Sequence, residues 1–318
     1  MDNKIKDLIY GSLIGDAMGV QFEFYEKKNI PKIDNLQYED SKVLPIKAGN
    51  WSDDGDQMLL LYQAMKESEN DIVPHLLYAK KIYDWYHKGI PEINKHTGIG
   101  CGNNMYMVLT HSKYLDDPLL ASKEIYEKTK SHSNGSIMRI SILGLSSLDK
   151  NIVIQNTINV CKITNYSSLV QASCLAVTLL VHYINIKKFN IHDLYETNNI
   201  CLKIINDIIN TIKLEKNELM DLIKHINCKS IDDLKLDEEF KIGYCLKTMG
   251  CLFWAIRNIG LGYKNILKTI YQEGGDTDTN GIVTGGVISL ILGIKCIPTE
   301  WINELKYSDY VNEQLSNK

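Results

Sequence analysis

The fold is decided by residues 11–19, which read GSLIGDAMG. The three glycines of this stretch recur every four residues, and positions i and i+4 of a helix lie on the same face. A helix face without side chains lets the backbone of a second helix approach closely. We therefore predict that residues 11–19 belong to a helix that packs tightly against another helix.

The rest of the chain also favours helices. Six prolines interrupt 318 residues, and apolar residues recur with helical spacing, for example in 56–67 and 200–212. Another helix is indicated by Pro74 near its first turn and a glycine after its last, with Asn70 or Asp71 as its cap. Strand-like alternation is rare. We predict an all-α fold, a single compact domain over residues 1–318 in which about 185–241 form a less characteristic helical subregion.

Composition and charge exclude several classes of protein. Charged residues make up 23% and hydrophobic residues 44% of the chain, which is ordinary globular usage. A net charge of −4 gives no chain-wide basic footprint for nucleic acid. The N-terminal residues lack a signal-peptide pattern, and we take 281–294 as the longest uncharged apolar run, which is shorter than the ~18 residues of a membrane span. We expect a cytoplasmic protein without a membrane or nucleic-acid partner.

Two acidic clusters stand where apolar helices are predicted to begin. Residues 51–57 read WSDDGDQ, and residues 273–281 read EGGDTDTNG. Serine and aspartate commonly cap helices, but one cap accounts for one acid and leaves the adjacent Asp53 and Asp54 unexplained. The second cluster and its helix contain no lysine or arginine. Buried carboxylates need protons or cations, so a hard divalent metal with oxygen ligands is the natural solution.

Two other kinds of site share part of the second motif. An EF-hand loop starting at Asp276 would need a glutamate at its twelfth position, where Val287 stands, so that interpretation fails. An Asp-x-Asp pair also begins the catalytic loop of aspartyl-phosphate phosphatases. There the pair follows a buried strand, whereas residues 271–275 read YQEGG. The phosphatase stays a less favoured alternative.

Two polar segments precede further predicted helices. Residues 98–104 read GIGCGNN, and residues 133–139 read SNGSIMR. Glycines ahead of a helix can expose backbone N–H groups to a phosphate, although an ordinary loop explains the first segment equally well.

Taken together, these segments resemble the ADP-ribosylglycohydrolase family. Residues 11–19 resemble the family's opening Gly-x-x-x-Gly-Asp-Ala-x-Gly, and Glu23 stands where the family carries a glutamate. Residues 51–54 resemble its Thr/Ser-Asp-Asp motif, 133–139 its Asn-Gly-x-x-Met-Arg and 276–281 its Asp-x-Asp-Thr-x-Gly. The four motifs occur in the family's order along the chain.

The resemblance implies an orthogonal helical bundle and a pair of Mg²⁺ ions, for which Mn²⁺ is an alternative. The residues that would hold the metals are Ser52, Asp53, Asp54, Asp276, Asp278 and Thr279. Glu23 and Asp276 are the candidates for general acid or base catalysis. The residues that would line the pyrophosphate and distal ribose are Gly98, Gly100, Gly102, Ser133, Asn134, Gly135, Ser136 and Met138.

The implied reaction is hydrolysis of the C1″ glycosidic bond between ADP-ribose and an arginine or serine side chain of a protein, or a small acceptor. Two positions depart from the family's pattern: Gly55 replaces a Thr or Ser, and Asn165 replaces a histidine. The second departure leaves open an alternative, a non-catalytic ADP-ribose-binding or crystallin-like structural protein.

Overall fold

The computed structural model describes residues 2–95, 98–186 and 193–316. Within these ranges it contains fifteen α-helices, six short 3₁₀ turns and no strand, so the all-α prediction is confirmed. The helices are α1 (Asp2–Gly19), α2 (Asp53–Lys66), α3 (His75–Lys88), α4 (Asn103–Leu109), α5 (Pro118–Thr129), α6 (Ile137–Ile140), α7 (Lys150–Lys162), α8 (Ser168–Ile186), α9 (Leu194–Thr211), α10 (Lys216–Ile226), α11 (Cys245–Arg257), α12 (Gly262–Gln272), α13 (Thr277–Leu292), α14 (Thr299–Glu304) and α15 (Ser308–Ser316).

The glycine face of α1 packs against α13, as its spacing predicts. A Cβ atom added at Gly11 would lie 2.5 Å from the carbonyl oxygen of Gly285, and one added at Gly19 would lie 2.5 Å from that of Thr277. Gly15 meets the backbone of Gly281 in the same way. Because α1 carries no side chains at these three positions, its backbone touches that of α13. The contact brings the end of α1 beside the start of α13.

The start of α2 is held by an acid from α1. The two carboxylate oxygens of Asp16 accept hydrogen bonds from the backbone N–H groups of Ser52, at 2.8 Å, and Gly55, at 2.9 Å. A buried carboxylate here satisfies N–H groups that a helix start leaves unpaired. Asp16 therefore fixes the first acidic motif against the pair formed by α1 and α13.

Asp56 is a structural acid rather than part of a metal site. One of its oxygens accepts hydrogen bonds of 2.7 Å from both the Trp51 indole and the Lys95 ammonium, and the other accepts one of 3.0 Å from Trp85. The lysine neutralises the buried carboxylate, and the Trp85 indole ties α2 to α3.

The structure corrects two details of the sequence prediction. The third helix begins after Pro74, whereas Asn70 and Asp71 lie in the preceding turn with φ of 50° and 63°. The apolar run 281–294 is not the longest uncharged one, because α8 has 19 residues without a formal charge. It is long and apolar enough to cross a membrane, but 78% of its most apolar window is buried inside the fold. It therefore serves as a core helix here.

Within the subregion 185–241 the structure describes the end of α8, helices α9 and α10 and one 3₁₀ turn, joined by loops, while its residues 187–192 lie outside the described ranges. The predicted stripe buries Ile200, Ile204 and Ile208 on α9. This face packs against α8, and α10 packs against α11.

Candidate active site

Five buried carboxylates from the predicted motifs come together beside the contact of α1 with α13. We call this set, formed by Glu23, Asp53, Asp54, Asp276 and Asp278, the acidic cluster. Within it, one carboxylate oxygen each from Glu23, Asp276 and Asp278 lie within 4.8 Å of one another. Two acidic motifs separated by more than 200 residues thus face one space.

The two motifs are also joined directly. The Thr279 hydroxyl in the first turn of α13 donates a 2.7 Å hydrogen bond to the Asp54 carboxylate in the first turn of α2. The Asn134 amide donates a 2.7 Å hydrogen bond to Asp276 and a longer one, of 3.2 Å, to Thr248. Asn134 therefore connects the central polar segment to the acidic cluster.

Burial and mutual repulsion make the acidic cluster unfavourable in its fully ionised form. Desolvation, the largest cause, and the charges of Asp276 and Asp53 together raise the pKa of Glu23 to about 9. Desolvation and then the charge of Asp16 raise the pKa of Asp53 to about 8. The pKa values of Asp54 and Asp278 are raised well above the ordinary range, again mainly by burial. Near neutral pH the cluster therefore needs protons or cations.

The acidic cluster fits a hard divalent cation. Glu23 Oε2 and Asp278 Oδ1 are buried without a hydrogen-bond partner, although buried polar atoms are normally paired. Among the described residues, no lysine, arginine or histidine forms an ion pair with the cluster. The available donors are carboxylate and hydroxyl oxygens, the ligands that Mg²⁺ and Mn²⁺ accept.

A cavity of about 200 Å³ opens over the acidic cluster. Its wall also contains six of the eight residues predicted to bind substrate, namely Gly100, Gly102, Ser133, Asn134, Gly135 and Met138. We call it the ribose cavity, because these residues are predicted to line the distal ribose. A second cavity, of about 510 Å³, shares Asn103, Asn104, Ser133 and Gly243 with the first. We call it the outer cavity, and its wall adds the aromatic side chains of His132, Phe240 and Tyr244.

Three predicted site residues lie away from these cavities. Gly98 packs on the Tyr86 ring. The Ser136 hydroxyl is buried and donates a 3.1 Å hydrogen bond to the Asn165 side-chain oxygen. Ser52 caps α2, its hydroxyl accepting a 3.3 Å hydrogen bond from the Asp54 N–H, and it lines a different cavity next to Asp53. Their predicted contacts with substrate or metal stay predictions.

Both departures from the family's pattern have a structural account. A Cβ atom at Gly55 would lie 2.5 Å from the Trp51 ring, so a hydroxyl-bearing residue does not fit this packing. Asn165 lines the ribose cavity, and its amide donates hydrogen bonds of 3.2 Å to the backbone and side-chain oxygens of Ser133. It thus provides a polar, hydrogen-bonded wall where the family places a histidine.

Several residues of the site were missed by sequence reasoning. Asp16 belongs to a quoted motif, but its capping role depends on a helix 36 residues away. Phe240 lies in a segment without any motif, and it is 95% exposed with a φ of 64°. Nothing in the sequence distinguishes it from an ordinary surface residue.

Known proteins resemble this chain over most of its length. The ADP-ribosylglycohydrolase family matches residues 1–318. A protein of Acanthamoeba polyphaga mimivirus named as an ADP-ribosyl glycohydrolase is 21% identical, over 95% of this chain and 90% of its own length. The ADP-ribosylarginine hydrolase Tri1 of Serratia proteamaculans is 23% identical, over 98% of this chain and 79% of its own length.

A solved structure has the same fold. The chain from an ADP-ribosylglycohydrolase-related protein complex superposes with a TM-score of 0.72, at 18% identity, and the match covers 99% of this chain and 96% of that one. With the family match spanning every residue, this chain belongs to the ADP-ribosylglycohydrolase family, a family of glycosidase-type hydrolases that act on ADP-ribosylated substrates.

Proposed function

We propose that this protein hydrolyses the C1″ bond that joins ADP-ribose to an arginine or serine side chain, with divalent cations bound to its acidic cluster. The observation that carries the proposal is the meeting of five buried carboxylates at the inner end of a cavity walled by polar loops.

The four aspartates of the acidic cluster and Thr279 would hold the cations, two Mg²⁺ ions in our proposal. When bound, such ions orient the vicinal ribose hydroxyls and favour deprotonation of the attacking water. The cluster itself adds negative charge where glycoside cleavage builds positive charge at the anomeric carbon. Ser52 would complete the set from the cap of α2, after rotation of its hydroxyl away from the Asp54 N–H.

Glu23 and Asp276 are our candidates for proton transfer. Both lie in the ribose cavity, and one Glu23 oxygen has no hydrogen-bond partner that would compete for a proton. A carboxylate here would take a proton from the attacking water or give one to the leaving nitrogen or oxygen. The Asn134 amide fixes the orientation of the Asp276 carboxylate.

The two joined cavities suit a dinucleotide-like substrate. The loop residues Gly100 and Gly102 expose backbone near the acidic cluster, where the distal ribose and pyrophosphate would lie. In the outer cavity, the exposed ring of Phe240 and the neighbouring Tyr244 offer aromatic faces for the purine. The similarity to a protein named ADP-ribosylarginine hydrolase makes arginine the first linkage to test.

The test measures, by chromatography, the release of ADP-ribose from arginine-linked and serine-linked substrates. We expect release with Mg²⁺, none with EDTA and none with Asp53→Ala. The matched control is Asp84→Ala, because Asp84 lies on α3 in a partly exposed ion pair with Lys88. Tight binding of ADP-ribose without release from any linkage would instead assign the non-catalytic alternative.

A further inference from the structure

Arg139 is a buried cation for which the described part of the chain provides no anionic partner. Its side chain is fully buried in α6. Two of its closest partners are the neutral oxygens Gln57 Oε1, at 2.6 Å, and Gly135 O, at 2.7 Å, and among the described residues it forms no ion pair. A buried charge is costly unless something nearby compensates for it. The residues between Arg139 and the acidic cluster must therefore account for this buried charge.

The first hydrogen-bond chain from Arg139 ends on the acidic cluster. Because a guanidinium can only donate, Gln57 must turn its oxygen towards Arg139 and its NH₂ group away. That NH₂ group donates a 2.9 Å hydrogen bond to Asp53 Oδ2. One oxygen of Asp53 is thereby occupied. The other faces the backbone of Gly100, where the absence of a Cβ avoids a collision.

The second chain ends on another residue that lines the ribose cavity, Asn165. The other terminal nitrogen of Arg139 donates a 2.6 Å hydrogen bond to the Thr164 hydroxyl. The hydroxyl must then point its own hydrogen elsewhere, and it donates at 2.9 Å to Asn165 Oδ1. This leaves the Asn165 NH₂ group facing Ser133, which lines the cavity with it. The orientation of the Asn165 amide is thus fixed in the same way as that of the Gln57 amide.

We propose that Arg139 is a positioning residue whose guanidinium sets the direction of both chains, orienting Asp53 for metal through Gln57 and Asn165 for substrate through Thr164. The inference rests on the proposed function, and it gives a role to Arg139, Gln57 and Thr164, to which that function assigns none. Arg139 itself does not line the ribose cavity, so it acts through its partners. Lysine would not replace it, because a single ammonium lacks the planar fork that reaches two separate acceptors.

The test measures Mg²⁺ affinity and ADP-ribose affinity separately, by calorimetry on the full-length protein. Gln57→Met should weaken Mg²⁺ binding about tenfold, the usual cost of losing a partner of a metal ligand, and leave ADP-ribose affinity at saturating Mg²⁺ unchanged. Thr164→Val should weaken ADP-ribose binding and leave Mg²⁺ affinity unchanged. Arg139→Lys should weaken both. The control is Gln63→Met on the same helix, whose amide bonds Tyr310 and Gln314 instead.

Separate effects of Gln57→Met on Mg²⁺ affinity and of Thr164→Val on ADP-ribose affinity distinguish a positioning role from a merely structural one. A merely structural role would lower both affinities together. Equal losses for Gln57→Met and Thr164→Val, or no loss for either, would overturn the inference. Wild-type protein that binds neither ligand would refute the proposed function as well. If Gln57→Met does not fold, NMR of the wild type decides the matter. The Gln57 side-chain amide signals should shift with Mg²⁺, and signals that do not respond would overturn the inference.

Discussion

The Thr279 hydroxyl donates a 2.7 Å hydrogen bond to the Asp54 carboxylate across 225 residues of sequence. Each residue lies in the first turn of its helix, so the bond joins the starts of α2 and α13. Both helices begin at one site, and Asp16 on α1 holds α2 there by accepting from Ser52 and Gly55. The acidic cluster is therefore assembled by three helix ends rather than by any local segment.

Thr279→Val should destabilise the protein even in the absence of metal. The substitution keeps the shape of the side chain but removes the donor to a buried carboxylate, which should cost about 1–3 kcal/mol of unfolding free energy. Urea unfolding in EDTA measures this. The matched control is Thr269→Val, because the Thr269 hydroxyl is exposed and bonds within its own helix. Equal stability of the two variants would contradict the assigned bond.

Gly15→Ala should destabilise the contact between α1 and α13. The added methyl group would collide with the Gly281 backbone, which cannot rotate away as a side chain can. We expect a loss of about 2–3 kcal/mol, typical of overpacking. Gly260→Ala is the control, because a Cβ atom at Gly260 meets nothing within 4 Å. If both variants melt at the wild-type temperature, the helices do not touch as described.

The effect of pH should depend on divalent cations. A carboxyl group with a raised pKa in the folded state stabilises the fold at low pH and loses that contribution as the pH rises through the folded value. Burial raises the pKa of Glu23 to about 9 and that of Asp53 to about 8. In EDTA, stability should therefore fall as the pH rises from the ordinary carboxyl pKa values of 3.8 and 4.5 to the folded values of about 8 and about 9.

Mg²⁺ competes with protons for the same oxygens, so its stabilising effect should grow over that pH interval. Thermal melting in EDTA and in Mg²⁺ buffers measures both curves. A metal effect that shrinks as the pH rises would show that the acidic cluster is not the binding site.

Phe240→Ala should weaken substrate binding without affecting the fold. The ring is 95% exposed, so its removal should change stability by less than about 0.5 kcal/mol. Loss of stacking on the purine should reduce ADP-ribose affinity about tenfold, within the range for aromatic contacts with bases. Ribose 5-phosphate, which lacks the purine, should bind both proteins equally. The control is Leu148→Ala, because Leu148 is another exposed apolar residue. Equal losses of ADP-ribose affinity in the two variants would show that the purine does not bind in the outer cavity.

The helices and each acidic motif could be predicted from sequence because their signals are local, whereas the meeting of the two motifs at one metal site is implied only by the resemblance to a known family. The glycine spacing in residues 11–19 predicts the face that α13 covers, and each acidic motif stands at the start of its own helix. Val287 in place of a ligand glutamate likewise excludes an EF-hand without any structure.

The rest depends on contacts between distant segments. Asn134 meets Asp276 across 142 residues, and Arg139 meets Gln57 across 82. Ser136 is buried because its hydroxyl bonds the Asn165 side chain, 29 residues further along the chain. The left-handed backbone of Phe240 is set by the loop that carries it, and no propensity of phenylalanine predicts that conformation.

The most direct test of the central claim is thermal melting of the wild type and of an Asp53→Ala/Asp278→Ala double variant, each with EDTA, with Mg²⁺, and with Mg²⁺ plus ADP-ribose. A ligand that binds the native state must raise its melting temperature. If the two acidic motifs form one metal site for ADP-ribose, Mg²⁺ and then ADP-ribose will each raise the wild-type value and leave the double variant unchanged. A wild type that responds to neither, or a double variant that responds equally, would contradict the account.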